Sequence, residues 1–308
     1  MDAPALRVEQ LVKTYRRGVR AVDGLSFEVP RGSIFGLLGP NGAGKTTTLK
    51  ILNTLIPPTS GRASVLGFDV VAQGLEVRRR ISVVIQESAA EMFLSVHDNL
   101  LTYARFHGVD ARLAKARAAD LLERFQLAAE AERKAMDLSG GQRRRVQVAK
   151  VFLVETPVIF MDEFSTGMDP ILKRAVMEML RGEAARGRTI VLTTQILSEA
   201  EELCDDILIM NHGRQVARGD LHALKLLSSG MKEVAITFER VPPGLEAELR
   251  ALAPLHLRIT DTTVELGVRM PEAEILALVS RLAARGNVLH LEMGGASLED
   301  VFVELMAK

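Results

Sequence analysis

Short apolar runs alternate with longer helical patterns along most of this chain. The runs at 33–38, 81–85 and 158–161 are apolar at nearly every position, as strands buried on both faces are. Over 95–127 the apolar positions instead fall three and four apart, at Leu100, Leu101, Ala104, Leu121, Leu122 and Phe125. That spacing predicts helix, opened by the capping pair Ser95 and Asp98. Further strands are expected over 6–15, 24–30, 62–67, 189–193, 206–210 and 215–218. Helices are expected over 45–52, 140–154, 170–186 and 197–204. A break follows at Ser228-Ser229-Gly230. Beyond it the pattern reads strand (233–238), helix (244–253), strand (255–259), strand (263–266), helix (272–284) and strand (288–293). This βαββαβ order is the ferredoxin-like one, and a last helix runs from the capping box Ser297-Leu298-Glu299-Asp300 to Leu305. The reading is an α/β domain over 1–225, a linker over 226–231 and a small α+β accessory or regulatory domain over 232–308. No cluster of catalytic residue types shows in that tail, so docking or dimerisation is its expected role.

The chemistry begins where the run 33–38 ends. Gly39, Pro40, Asn41, Gly42, Ala43, Gly44, Lys45 and Thr46 match G-x-x-x-x-G-K-[ST], the phosphate-binding loop, with a strand before it and a helix after. Gly39, Gly42 and Gly44 let the backbone approach phosphate oxygens, and the freed N–H groups with the helix N-terminus make an anion site. Lys45 adds a point charge for the β- and γ-phosphates, and the Thr46 hydroxyl suits Mg²⁺. The run 158–161 ends in Asp162 and Glu163, and strand C-termini of a parallel sheet converge on the ligand. Asp162 is therefore placed to hold Mg²⁺, and Glu163 to orient or deprotonate a water. A second anion site opens at Leu138-Ser139-Gly140-Gly141-Gln142, where Ser139 is an N-cap and the glycines expose backbone N–H groups. Tyr15, one of two tyrosines, either stacks on a base or plugs its strand end.

Composition narrows the class. Lysine plus arginine and aspartate plus glutamate both total 39 of 308 residues, which argues against non-specific nucleic-acid binding. The basic runs Arg78–Arg80 and Arg143–Arg145 read as solvated helix faces. One cysteine, Cys204, rules out an internal disulfide and a thiolate metal cage. The six histidines are scattered, none at the i, i+4 spacing of a helical metal site. A reduced, cytoplasmic setting is expected, with no signal peptide at the start and no apolar run near the ~20 residues that span a bilayer.

Phosphate loop, LSGGQ and strand-ending Asp-Glu, in this order, resemble the nucleotide-binding subunit of an ABC transporter over about residues 5–225. The resemblance implies a P-loop NTPase of ABC type with an antiparallel β subdomain and a helical subdomain. It also implies head-to-tail homodimers in which each ATP lies between one phosphate loop and the other chain's Ser139, Gly140, Gly141 and Gln142. Tyr15 matches the adenine-stacking aromatic. Thr47 completes the loop's contacts, Gln86 matches the glutamine that reaches Mg²⁺ and the attacking water, and Asp169 matches an aspartate that crosses the dimer interface. Residues 87–100, with Met92 and Phe93, fall near the groove for a separate membrane subunit. GKTTTLKIL and the tail Ser297 to Phe302 look most like the daunorubicin-resistance type, whose ATPases energise ABC-2-type exporters from the cytoplasmic face of the membrane.

Two departures from that pattern stand out. Phe164-Ser165 replaces the usual Pro-Thr, an expected packing variation. Gln195 stands where the family has a histidine that donates to the γ-phosphate. A neutral amide forms a weaker bond than an ionised donor, a deficit of ~1–2 kcal/mol or on the order of tenfold in rate. Slow but real hydrolysis is the expectation. The alternatives are a hydrolysis-impaired, nucleotide-gated binding module and a soluble ABC ATPase acting outside transport.

Overall fold

The computed structural model describes residues 3–16, 18–85, 90–228 and 232–306. Its contacts divide the chain between Arg218 and Gly219 into two compact units. In the first, β3 (Ile34–Leu38), β6 (Ile81–Val84), β7 (Val158–Asp162), β8 (Thr189–Thr194), β9 (Asp206–Asn211) and β10 (Arg214–Gly219) form one sheet. Its order is β10-β9-β3-β8-β7-β6, and β3 pairs parallel with both β8 and β9, as β7 does with β6 and β8. Every residue of β3, β7 and β8 is buried, which is why their sequences are apolar without alternation.

The two faces of this sheet serve different cores. Phe35, Leu37, Phe160 and Val191 pack toward a second, antiparallel sheet of order β2-β1-β4-β5, built from β1 (Leu6–Thr14), β2 (Arg20–Val29), β4 (Ser60–Val65) and β5 (Phe68–Asp69). Phe35 stacks on Phe27 there, ring centroids 5.2 Å apart, and truncating so buried an aromatic costs about 3–5 kcal/mol. α1 (Lys45–Leu52) contributes Leu49, Ile51 and Leu52 to the same core, and α2 (Gly74–Arg78) adds Val77. Ile159, Met161, Ile190 and Leu192 turn the other way, onto helices. These are α3 (Val96–Phe106), α4 (Ala111–Arg124), α5 (Gly140–Leu153) and α6 (Pro170–Ala185), with α7 (Leu197–Leu203) following β8. The continuous helical pattern over 95–127 is in fact two helices. Gly108 takes a left-handed φ of 72°, and Asp110 then caps α4 by accepting from the backbone N–H groups of Arg112 and Leu113.

The second unit begins earlier than the sequence boundary at 225–232. α8 (Leu221–Leu227) packs on α11 (Leu298–Met306), and Ser228 Oγ donates to Glu304 Oε2 at 2.9 Å. Between them lie β11 (Lys232–Phe238), α9 (Leu245–Ala251), β12 (His256–Ile259), β13 (Thr263–Val268), α10 (Glu272–Ala283) and β14 (Val288–Gly295). The strands form a sheet of order β12-β13-β11-β14 in which each neighbouring pair is antiparallel. Val234, Ile236, Phe238, Val264 and Leu266 face one core with Leu249, Ile275 and Leu282 of the helices. The period of two places Glu233, Glu265 and Gly267 on the opposite face. No helix among the described residues is long and apolar enough to cross a membrane.

Candidate functional site

The register of the parallel sheet brings the phosphate loop, Asp162, Glu163 and Gln195 to one edge. Leu38 pairs with Thr194 and Asp162 with Thr193, so β3, β7 and β8 end side by side. The loop 39–44 leaves β3, Glu163 follows β7 and Gln195 follows β8. Open sheets bind ligands at such a carboxyl edge.

The loop is held against its neighbours by glycine. Gly44 has a φ of 102°, and a Cβ there would run into the carbonyl of Ala21; one on Gly39 would run into that of Met210. Lys45 is buried and its Nζ donates to the carbonyls of Gly39 at 2.7 Å and Pro40 at 3.1 Å, curling the loop around the ammonium. Burial pushes the Lys45 pKa down, and the Glu163 and Asp162 carboxylates oppose that shift. Thr46 Oγ1 lies 3.2 Å from Asp162 Oδ1, which also accepts from Thr193 Oγ1. A buried carboxylate beside a hydroxyl is an all-oxygen donor set that suits a hard divalent cation, so Asp162 and Thr46 fit Mg²⁺.

Glu163 carries the sharpest local conformation. Its φ of 50° is left-handed, a state worth on the order of 1–3 kcal/mol of strain in a residue with a Cβ. Hydrogen bonds to both its N–H and its carbonyl over-determine it. Its N–H donates to Thr193 O at 3.0 Å, and its carbonyl accepts from Arg144 Nη2 at 2.8 Å and from Thr166 Oγ1 at 3.1 Å. Arg144 also donates to the carbonyls of Asp162 and, at 2.6 Å, Ile85. This corrects the reading of 143–145 as a solvated face, because Arg144 is buried behind the carboxylates. Arg80 departs similarly, half-buried with its guanidinium 4.2 Å from the centroid of Phe68.

A cavity of about 470 Å³ is lined by Tyr15, by Asn41, Gly42, Ala43, Gly44, Lys45, Thr46 and Thr47, and by Glu163. Tyr15 is half-exposed in its wall, with the hydroxyl 3.3 Å from Thr47 Oγ1. Gly140 and Gly141 line a different hollow, about 430 Å³, with Arg144, Gln147, Glu163 and Gly167. Glu163 thus stands in both walls. Ser139 closes a full capping box at the start of α5: its Oγ accepts from Gln142 N at 3.2 Å, and its N–H donates to Gln142 Oε1 at 2.9 Å. Gly141 packs on Gly167 so closely that a Cβ would sit 2.7 Å from its carbonyl oxygen. Asp169 caps α6, accepting from Leu172 N at 3.0 Å, and this bond together with the Arg145 guanidinium holds its carboxyl below the usual range. A larger hollow, about 660 Å³, lies by Arg117, Glu155, Glu183 and Arg188, but Arg117–Glu155 and Arg188–Glu183 ion pairs neutralise it.

Gln195 is exposed at the end of β8. Behind it the buried Glu199 carboxylate joins three segments. It accepts from Thr194 Oγ1 at 2.7 Å and from Ser165 Oγ, and pairs with Lys173 Nζ at 2.9 Å. Phe164 is fully buried in the core under the helices, so the Phe164-Ser165 pair has a packing role and a bonding one. Glu199, Arg144 and Thr193 escaped sequence reasoning, since each acts mainly through partners on distant segments or through strand register. For Glu199, a charge on the same helix face as Ala200 and Leu203 was the available signal. Gln86, expected to reach the metal and water, lies outside the described residues, as do 87–89 of the expected groove. Phe93, nearby, is 79% exposed.

Known proteins match this arrangement. The family model described as "ABC transporter" matches residues 22–166. The Nod factor export ATP-binding protein I of Burkholderia orbicola (strain AU 1054) is 39% identical over 93% of this chain and 92% of its own length. The daunorubicin/doxorubicin resistance ATP-binding protein DrrA of Streptomyces peucetius is 37% identical over 98% of this chain and 92% of its own. Among solved structures, an ATP-binding subunit of an ABC transporter superposes with a TM-score of 0.68 at 29% identity, covering 72% of this chain and 92% of that one. A dimeric, post-hydrolysis ATP-binding cassette bound to ADP and Pi shares the fold, with a TM-score of 0.65 at 24% identity over 70% of this chain and 98% of that one.

Proposed function

The chain belongs to the ABC transporter family as one of its ATP-binding proteins, and on that premise we propose that it binds and hydrolyses ATP to energise export through a separate membrane subunit. The observation that carries the reading is the Lys45, Thr46, Asp162 and Glu163 constellation at the carboxyl edge of β3 and β7, facing a cavity the loop lines. The loop N–H groups and Lys45 hold the β- and γ-phosphates. Tyr15 stacks on the base. Asp162, Thr46 and Gln86 would hold Mg²⁺, which when bound would neutralise charge on the phosphate oxygens. Glu163 orients and deprotonates the attacking water, from a backbone pinned by Thr193 and Arg144.

The hollow at Gly140 and Gly141 supports a half-site for a second copy. Ser139, Gly140, Gly141 and Gln142 present a capped helix N-terminus to the γ-phosphate of ATP held by the partner, with Asp169 at the seam. A homodimer with ATP sandwiched between copies follows. The curated relatives export Nod factor or confer daunorubicin resistance, which favours an exporter of the ABC-2 type, with this chain at the cytoplasmic face of the membrane through its partner.

Gln195 sets the rate. As a neutral donor it contributes less than an imidazolium to the transition state, so turnover is slow. Steady-state phosphate release, compared with a Glu163→Gln control, tests the reading. Turnover well above the control is expected; equality with it would replace hydrolysis with nucleotide-gated binding alone. ATP-dependent dimerisation of Glu163→Gln on size exclusion, lost on Ser139→Arg, tests the half-site.

A further inference from the structure

The face of the second unit's sheet opposite its main core gathers residue types that the sequence scatters. Glu233 on β11 and His256 on β12 both pair with Gly267 on β13, so they form one row across three strands. A Cβ on Gly267 would sit 2.6–2.8 Å from the His256 ring and Glu233 Oε1; only glycine lets the imidazole cross the middle strand. His256 Nε2 lies 3.1 Å from Glu233 Oε2, and Nδ1 lies 3.8 Å from Asp300 Oδ1. Asp300 comes from the first turn of α11, where its other oxygen accepts from Ser297 N at 2.8 Å and so fixes the carboxylate. One ligand atom from each of the three residues falls within 4.8 Å of the others.

We propose that Glu233, His256 and Asp300 bind a divalent transition-metal ion of the zinc type, which ties α11 to the sheet. Two further observations point to a cation. Glu233 Oε1 is shut off from solvent without a hydrogen-bond partner among the described residues, an uncompensated acceptor that costs free energy unless something positive meets it. The surrounding cleft, about 540 Å³, carries five carboxylates against two guanidiniums. The donor set selects the metal class. An imidazole nitrogen disfavours Mg²⁺ and Ca²⁺, which take oxygen, whereas one nitrogen and two carboxylates with a water complete a tetrahedron for Zn²⁺. No bond to the nucleotide is involved.

Titration of the chelator-stripped full chain with Zn²⁺, without nucleotide and in millimolar Mg²⁺, tests this. One equivalent bound below 10 µM (order of magnitude) and a melting temperature raised by several degrees are expected, since a ligand of the folded state stabilises by mass action. His256→Gln and Asp300→Asn each weaken binding at least tenfold, while the metal-free circular dichroism and denaturant unfolding of the full chain stay close to wild type, which shows the second unit folded. Co²⁺ gives a second readout: its visible bands appear in wild type and vanish in His256→Gln. Binding unchanged in both variants, or no binding in the wild type with stabilisation by acidification instead, overturns the proposal. The second result would make the cluster a proton-bridged clasp.

Discussion

In the first unit, Lys45, Thr46, Asp162 and Glu163 each follow directly from a strand or its loop, and adjacent parallel strands bring their ends together. In the second, Glu233, His256 and Asp300 arrive from two strands and a helix, separated by long stretches of chain, and meet over a glycine. The first site is built from backbone: loop N–H groups, a helix start and strand ends, each demanding residue types at fixed spacing. The second is built from side chains alone, so nothing in local spacing announces it. A site of the first kind tolerates little change in its loop and much in its surroundings. A site of the second kind depends on one register of one sheet.

The contrast predicts graded effects. The largest is at the backbone-built site: Lys45→Ala and Glu163→Gln should each lower steady-state ATPase by ~10²–10³ or more, with melting little changed. A drop below tenfold in either would move the chemistry elsewhere. Arg144→Ala should destabilise the first unit by about 2–4 kcal/mol, because the buried carbonyl of Asp162 and the half-buried ones of Ile85 and Glu163 lose one donor together. Denaturant unfolding measures this, and Arg144→Lys should recover less than half, since an ammonium lacks the planar fork. Gln195→His should raise turnover about tenfold, the increment between a neutral and an ionised donor; an unchanged rate would mean the chemical step is not limiting. Tyr15→Ala should weaken ATP binding about fivefold, at the low end of the ~1–3 kcal/mol of a base stack, read by nucleotide titration. Smallest in catalysis is Gly267→Ala, which should leave ATPase within a factor of two while abolishing the Zn²⁺ response. If it slowed ATPase as much as Gln195→His sped it up, the two regions would be coupled, not merely different.

The phosphate loop, the strand ending in Asp162-Glu163 and the N-cap at Ser139 were legible because each is a local pattern with one physical solution. So were most strands and helices, through period and caps. The pattern over 95–127 misled because its apolar spacing continues through the turn, and only Gly108 and Asp110 mark the break. α8 escaped because a short amphipathic helix beside a Ser-Gly break resembles a linker until α11 covers it.

The sequence alone determined that this chain takes a nucleoside triphosphate, since glycine dihedrals, a lysine and a helix start are specified residue by residue along a single stretch. Tertiary structure decided the rest. Strand register set Asp162 beside Thr46 and Thr193, and burial turned Arg144 from a surface charge into the clamp behind Glu163. Sheet order carried His256 across Gly267 to Glu233. The physical reason is range: backbone conformation is written in neighbouring residues, whereas burial and side-chain encounter depend on which distant strands pair.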